Sequence, residues 1–189
     1  MISMMYRILK YLPLLLLIST CSSASNELQK KIKEFKECSI LIPDDMLVLK
    51  GRTESIADKI LDDSMPKFII YYDSLSCNSC QVSHLFELTS LYGLADSSGA
   101  FEVMTIFSPK TEEYDELMKE LMVRNFDYPL FIDASGSFRR LNRDIPEDVR
   151  FHSFLIDEES HPVFVGNPVE SYDLRILFNK ILKNYEEKK

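Results

Sequence analysis

A chain of 189 residues with 46% apolar content has room for one domain with its own hydrophobic core. It carries 22 basic against 30 acidic residues, a formal net charge of −8, which argues against a nucleic-acid-binding surface. No low-complexity run or internal repeat interrupts it, which excludes solenoid and fibrous architectures.

Residues 1–20 read as an export signal rather than as part of the fold. Arg7 and Lys10 form a short basic region, and Tyr11 to Ile18 form an apolar run too short to span a bilayer. Ile18-Ser19-Thr20-Cys21 resembles a bacterial lipobox, with Thr20 where that pattern usually has Gly, Ala or Ser. The resemblance implies that Cys21 becomes a lipidated N-terminus. The chain would then be held on a membrane of a bacterial cell envelope, facing the periplasm or exterior. The plain alternative is an ordinary cleaved signal with a coincidental cysteine. Residues 21–26 are a polar tether. Without Arg7 and Lys10 the balance becomes 20 basic to 30 acidic, so the exported part is the more acidic.

Residues 27–37 place Leu28, Ile32 and Phe35 on one face of an amphipathic helix; the narrow stripe suits a helix lying on the domain, the alternative being a membrane-surface helix next to the lipid anchor. The domain proper is expected over 38–189. Ser39–Ile42 and Met46–Leu49 read as strands, and 53–63 as a short helix. Phe68-Ile69-Ile70-Tyr71-Tyr72 is a near-continuous apolar run, the mark of a strand buried on both faces. A helix is expected over 78–93, with Gly93 near its end. Phe101–Phe107 reads as a strand. Thr111 to Val123 reads as a helix capped by Thr111, with Leu117, Met118 and Leu121 at helical spacing. Leu130–Ile132 is a short strand, 133–136 a turn and 137–142 a helical turn. Phe154–Ile156 and Val163–Val165 form a hairpin. Asp173 to Tyr185 closes the chain as a helix with Leu174, Leu177, Phe178 and Ile181 facing inward. Met104, Met118 and Met122 fall on apolar faces and read as core. Strands alternate with helices, so the fold class is α/β, a central mixed sheet flanked by helices.

The chemistry is concentrated at Cys77-Asn78-Ser79-Cys80. A strand, a short polar break and then Cys-x-x-Cys at a helix start is an arrangement that activates a dithiol. Unpaired backbone N–H groups and the helix dipole there favour a thiolate, the species that attacks disulfides. A purely structural disulfide is the plainer alternative, but one closing so short a loop removes little chain entropy. Cys38, the remaining cysteine, reads as a buried and inert thiol beside Ser39 and Ile40.

On these residues the chain resembles the thioredoxin-like superfamily. The carrying motifs are the Phe68–Tyr72 strand, Cys77-x-x-Cys80, the segment Tyr128-Pro129-Leu130-Phe131-Ile132-Asp133-x-x-Gly136, and Phe154-Leu155-Ile156-Asp157. Within it, the likeness is to lipid-anchored periplasmic thiol–disulfide oxidoreductases, with the inserted helix of the anchored-reductase and peroxiredoxin-like branch. It covers roughly residues 38–185. It implies that Cys77 attacks a partner disulfide and that Cys80 resolves the mixed disulfide. It implies partners that are protein thiols or disulfides, a membrane reached through the N-terminal lipid, and no cofactor.

Three features depart from that family. Asn78-Ser79 stands between the cysteines in place of the usual Gly-Pro, and Ser76 precedes them in place of an aromatic. The loop facing the dithiol falls at Phe151 and His152, neither of them the family's cis-proline. A trans bond is expected there, since a cis bond to a non-proline residue costs about 2.5–4 kcal/mol. Tyr71 occupies the position of the family's buried carboxylate, which leaves Asp73 as the candidate proton shuttle for Cys80. These departures keep two alternatives open. One is a non-catalytic binding lipoprotein that uses the loops around 73–77 and 147–153. The other is copper or zinc binding, with Cys77, Cys80, His84 and His152 as the candidate ligands.

Overall fold

The computed structural model describes residues 26–56, 61–62, 64–75 and 78–186. The expected export signal, the lipidation residue Cys21 and all but the last residue of the tether lie outside that set. So do Ser76 and Cys77, and part of the helix expected over 53–63.

Seven strands form one mixed sheet: β1 (Leu47–Lys50), β2 (Thr53–Ile56), β3 (Lys67–Tyr72), β4 (Glu102–Phe107), β5 (Leu130–Ile132), β6 (Ser153–Ile156) and β7 (Pro162–Val165). Their order is β2-β1-β5-β4-β3-β6-β7. The described helices are α1 (26–36), α2 (Asn78–His84), α3 (Thr89–Ser98), α4 (Tyr114–Arg124), α5 (Ser137–Leu141) and α6 (Tyr172–Glu186). β3 and β4 run parallel, and α2 and α3 make the crossover between them. β6 returns antiparallel on the other side of β3, and β7 pairs antiparallel with β6. The set β4-β3-β6-β7 closed by α6 is the thioredoxin-like arrangement, extended here by β5 and the β1–β2 hairpin.

The two-residue period of β3 explains why it must be covered on both sides. Phe68 and Ile70 point into one core with Val82, Leu117, Leu155 and Phe178. Ile69 and Tyr71 point into the other with Phe35, Met104, Phe138 and Phe154. Phe178 of α6 meets Phe68, Phe101 and Phe164 at ring-centroid distances of 5.2, 5.3 and 5.2 Å. Burial of such a side chain is worth about 1.5–3 kcal/mol, which fixes α6 against the sheet. On the opposite face, Phe35 packs edge-on to Phe151 and Phe154, so α1 lies on the domain as its apolar stripe predicts.

Several local expectations need correction. Residues 39–42 form no strand. Leu41 N–H donates to Asn142 Oδ1 at 2.7 Å, Asn142 Nδ2 donates to Leu41 O at 2.7 Å, and Ile40 N–H donates to Ser160 O at 2.9 Å. The segment's backbone is satisfied by a side chain and a distant turn instead of a ladder. Residues 53–56 are a strand and not a helix, because Gly51 at φ 61° turns β1 directly back into β2. The helix after the dithiol breaks into α2, a 3-10 turn over Leu85–Leu88, and α3. Gly93 sits inside α3, which ends at Gly99 with φ 58°. Thr111 lies in a 3-10 turn ahead of α4 and does not cap it. Leu177 is 47% exposed at the rim, and Leu182 takes the inward position instead.

Candidate functional site

The candidate site lies beyond the carboxyl ends of β3 and β4, beside the point where the next strand added to the sheet switches sides. In open α/β sheets that position leaves a crevice between the diverging connections. The polar break after β3 starts with Asp73, whose Oδ1 accepts from Leu75 N–H at 3.0 Å, forming an Asx turn that reverses the chain toward α2. Leu75 at the tip is 86% exposed. α2 then packs through Val82, and the following 3-10 turn through Leu85.

Cys80 stands in the first turn of α2 and is disulfide-bonded, whereas Cys38 is a free cysteine. Cys80 is solvent-exposed. The inward face of α2 is taken by Val82, which turns Cys80 outward. Ser79, between the two cysteines in sequence, donates from Oγ to Glu120 Oε1 of α4 at 3.0 Å. Cys38 is half-buried against the second core, and burial together with the negative Asp144 and Glu37 pushes its thiol pKa up.

His152 occupies the loop that faces this end of β3. It is 4% exposed. Tyr71 N–H donates to His152 O at 2.8 Å, which latches the loop to β3. The His152 ring lies 5.4 Å from the Tyr71 ring. Its Nε2 is 3.1 Å from Pro146 O, and its Nδ1 is 3.9 Å from Asp73 Oδ2. Burial pushes the imidazole pKa down, with the Pro146 carbonyl and the Asp73 charge acting against that shift. No cis peptide bond occurs among the described residues, so the trans loop expected at Phe151 and His152 is present. Phe151 does not face the site: it is buried in the second core beside Phe35.

The buried carboxylate that β3 lacks has a counterpart after β5. Asp133 is 1% exposed. It accepts from Ser108 Oγ at 2.6 Å, from Ser137 N–H at 2.8 Å and from Phe138 N–H at 3.0 Å. Burial pushes the hydroxyl pKa of the neighbouring Tyr71 up. Asp133 thereby caps α5 and braces the floor of the site. Its signal in the sequence is an Asx turn running into a helical turn, Asp133-Ala134-Ser135-Gly136-Ser137.

Two cavities open on either side of Asp73 and Leu75. One, of about 550 Å³, is lined by Tyr71, Ser108, Lys110, Arg139 and Glu147 among others. The other, of about 370 Å³, reaches from His152 and Tyr72 to Gln81, the residue after Cys80, with Val149 and Glu170 on its rim. A third hollow of about 660 Å³ lies between α2 and α4, lined by Ser79, Val82, Phe86, Lys119, Glu120 and Val123. Among the described residues, which leave out the candidate ligand Cys77, no group of three His, Cys, Asp or Glu side chains could hold a metal ion. His84 Nδ1 lies 2.6 Å from Glu87 Oε1 on the exposed side of the helix.

No protein-family model matches the chain, and no curated protein sequence matches it. Solved structures resemble it at low identity. A thioredoxin-like protein from Porphyromonas gingivalis is 14% identical, with a TM-score of 0.49 over 78% of this chain and 94% of that one. The exposed lipoprotein thioredoxin Etrx1 of Streptococcus pneumoniae is 18% identical, with a TM-score of 0.45 over 74% and 98%. AhpC of Mycobacterium tuberculosis is 11% identical, with a TM-score of 0.44 over 75% and 95%. At these scores the likeness carries no weight for function, and the fold assignment rests on the strand order.

Proposed function

We propose that this chain is a thiol–disulfide oxidoreductase of the cell envelope that exchanges a disulfide with partner proteins through Cys77 and Cys80. The observation that carries this reading is the placement of an exposed Cys80 in the first turn of the helix that follows β3 of a thioredoxin-like sheet. Helix-start N–H groups and the dipole favour a thiolate two to three residues earlier in the chain, where Cys77 stands in the sequence. The pairing of Cys80 with Cys77 is part of the proposal. So is anchoring through lipid on Cys21, with the domain outside the cytoplasm. No described helix is long and apolar enough to cross a membrane.

The reaction is a two-electron exchange. The Cys77 thiolate attacks a partner disulfide, Cys80 displaces the partner, and the partner leaves reduced. The test is equilibration of the purified chain, with Cys21 and Cys38 replaced by serine, in a glutathione redox buffer. A two-electron transition that vanishes in Cys77→Ser, and a partner trapped as a mixed disulfide in Cys80→Ser, are expected. Absence of both would overturn the reading.

A second reading is favoured by one observation. Leu75 is 86% and Val149 68% exposed, on the two loops that flank the smaller cavity. Exposed apolar side chains beside a groove suit a docking surface that holds a partner without exchanging thiols. A cellular phenotype that survives replacement of both cysteines and is lost on Leu75→Ser with Val149→Ser would favour it.

A further inference from the structure

The cavity of about 550 Å³ opens beyond the carboxyl ends of β3, β4 and β5, three strands that run parallel to one another. Its walls draw on the residues that follow each strand, among them Asp73, Ser108 and Ser135. A crevice outside the ends of parallel strands is where open α/β sheets bind small ligands, and this volume falls in the usual range for such sites. The charges on the walls balance: Lys110, Arg139 and Arg140 stand against Asp73, Glu112 and Glu147. That balance contrasts with the net charge of −8 on the whole chain. It gives no advantage to a polyanion, which a wall of one sign would draw in.

Three of these six groups have partners within the chain. Lys110 Nζ is 3.3 Å from Glu113 Oε1. Arg140 donates to Ser135 O and interacts electrostatically with the Asp45 carboxylate. Asp73 Oδ1 accepts from Leu75 N–H, and its Oδ2 lies 3.9 Å from His152 Nδ1. Arg139 differs from them. It is half-buried, and Nη1 donates to Ile145 O at 2.5 Å. Among the described residues no carboxylate pairs with its guanidinium, and Nε and Nη2 have no acceptor. A partly buried charge without a counter-ion is costly. Nε and Nη2 form one flat edge of the guanidinium, the edge that takes a carboxylate through two parallel hydrogen bonds. The carboxylates of Glu112 and Glu147 likewise have no ion-pair or hydrogen-bond partner among the described residues. One cavity thus carries an unpaired cation and unpaired anions that do not meet.

We propose that this cavity binds a small zwitterion carrying both a carboxylate and an ammonium, the chemistry shared by free amino acids and short peptides. Arg139 Nε and Nη2 take the ligand carboxylate, and the carboxylates of Glu112 and Glu147 hold its ammonium. A ligand of both signs satisfies the free cation and the free anions together, which a simple anion or a simple cation does not. The site uses no thiol and stands apart from the oxidoreductase reading, so either can fail without the other.

The test is a titration of the nitrogen-15-labelled chain, with Cys21 as serine, followed by the backbone amide shifts of Ser108, Ser135 and Glu147. The probes are an equimolar pool of free L-amino acids and an equimolar pool of L-dipeptides, cysteine being left out of both so that no thiol exchange enters. Saturable shifts at these amides are expected by about 10 mM total ligand from at least one pool, and which pool acts identifies the source. Blocking the dipeptide or amino-acid amine by acetylation, or the carboxylate by amidation, is expected to weaken binding about tenfold or more. Arg139→Gln should cause a similar loss, after which amidation makes no further difference. Glu112→Gln combined with Glu147→Gln should do the same for acetylation. No saturable shift with either pool overturns the proposal. So does an acetylated pool that binds as well as its parent, which would mark a plain carboxylate site. Amidation that costs as much in Arg139→Gln as in the wild type overturns the role of Arg139. Should Arg139→Gln fail to fold, the comparison of free and blocked pools on the wild-type chain still decides.

Discussion

Ser79 Oγ donates a 3.0 Å hydrogen bond to Glu120 Oε1, which ties the residue between the two cysteines to the middle of α4. The bond holds a carboxylate near the positive end of α2. A negative charge there opposes a thiolate in the same turn and so disfavours the reduced dithiol. Glu120→Gln is therefore expected to shift the dithiol's equilibrium with glutathione about two- to fivefold toward the reduced form. Both side chains are exposed, so added salt should shrink the difference. A shift in the opposite direction, or none at low ionic strength, would refute the proposed destabilisation of the thiolate by Glu120.

Among the described residues Asp133 is the buried carboxylate, and it accepts several hydrogen bonds. Its replacement by alanine leaves Ser108 Oγ and the backbone N–H groups of Ser137 and Phe138 without an acceptor. Asp133→Ala is expected to cost about 2–4 kcal/mol in urea unfolding, and Asp133→Asn less, since one oxygen remains. A loss below about 0.5 kcal/mol would mean that the α5 turn is re-satisfied by other groups.

Asn142 spans 101 residues of sequence to reach Leu41, accepting from its N–H and donating to its carbonyl. Asn142→Ala should lower stability by about 1–3 kcal/mol and remove the hydrogen-exchange protection of the Leu41 amide. Retained protection at Leu41 would contradict the pairing.

The buried His152 also links stability to pH. Its folded pKa is depressed by burial, below the value in the unfolded chain. The unfolded state therefore binds more protons in the window between the two values. The contribution is fully present above about pH 6.5, the unperturbed value, and is lost as pH falls through the folded pKa. Wild-type unfolding free energy should fall across that window more steeply than that of His152→Gln. Parallel curves would refute the linkage.

Much of this architecture is legible in the residues themselves. The apolar run at 68–72, the helical spacing in α4 and α6 and the hairpin turn before β7 each encode their element through local periodicity. Thr53–Ile56 was not legible as a strand, because its pairing depends on the turn at Gly51 and on a neighbour, β1. Ser39–Ile42 looks like a strand by propensity, but Asn142, distant in the chain, takes its backbone bonds instead. Phe151 falls in the loop expected to face the dithiol. Its ring is drawn into the core by Phe35.

The dithiol motif, its place after a buried strand and the absence of proline at 151–152 are properties of the sequence by itself, since each depends only on residue identity and short spacing. The Ser79–Glu120 bond, the exposure of Cys80, the buried Asp133 and the His152–Asp73 approach belong to the tertiary structure. They join groups separated by tens of residues, and only sheet order and core packing decide which distant side chains meet and how far water is excluded where they do.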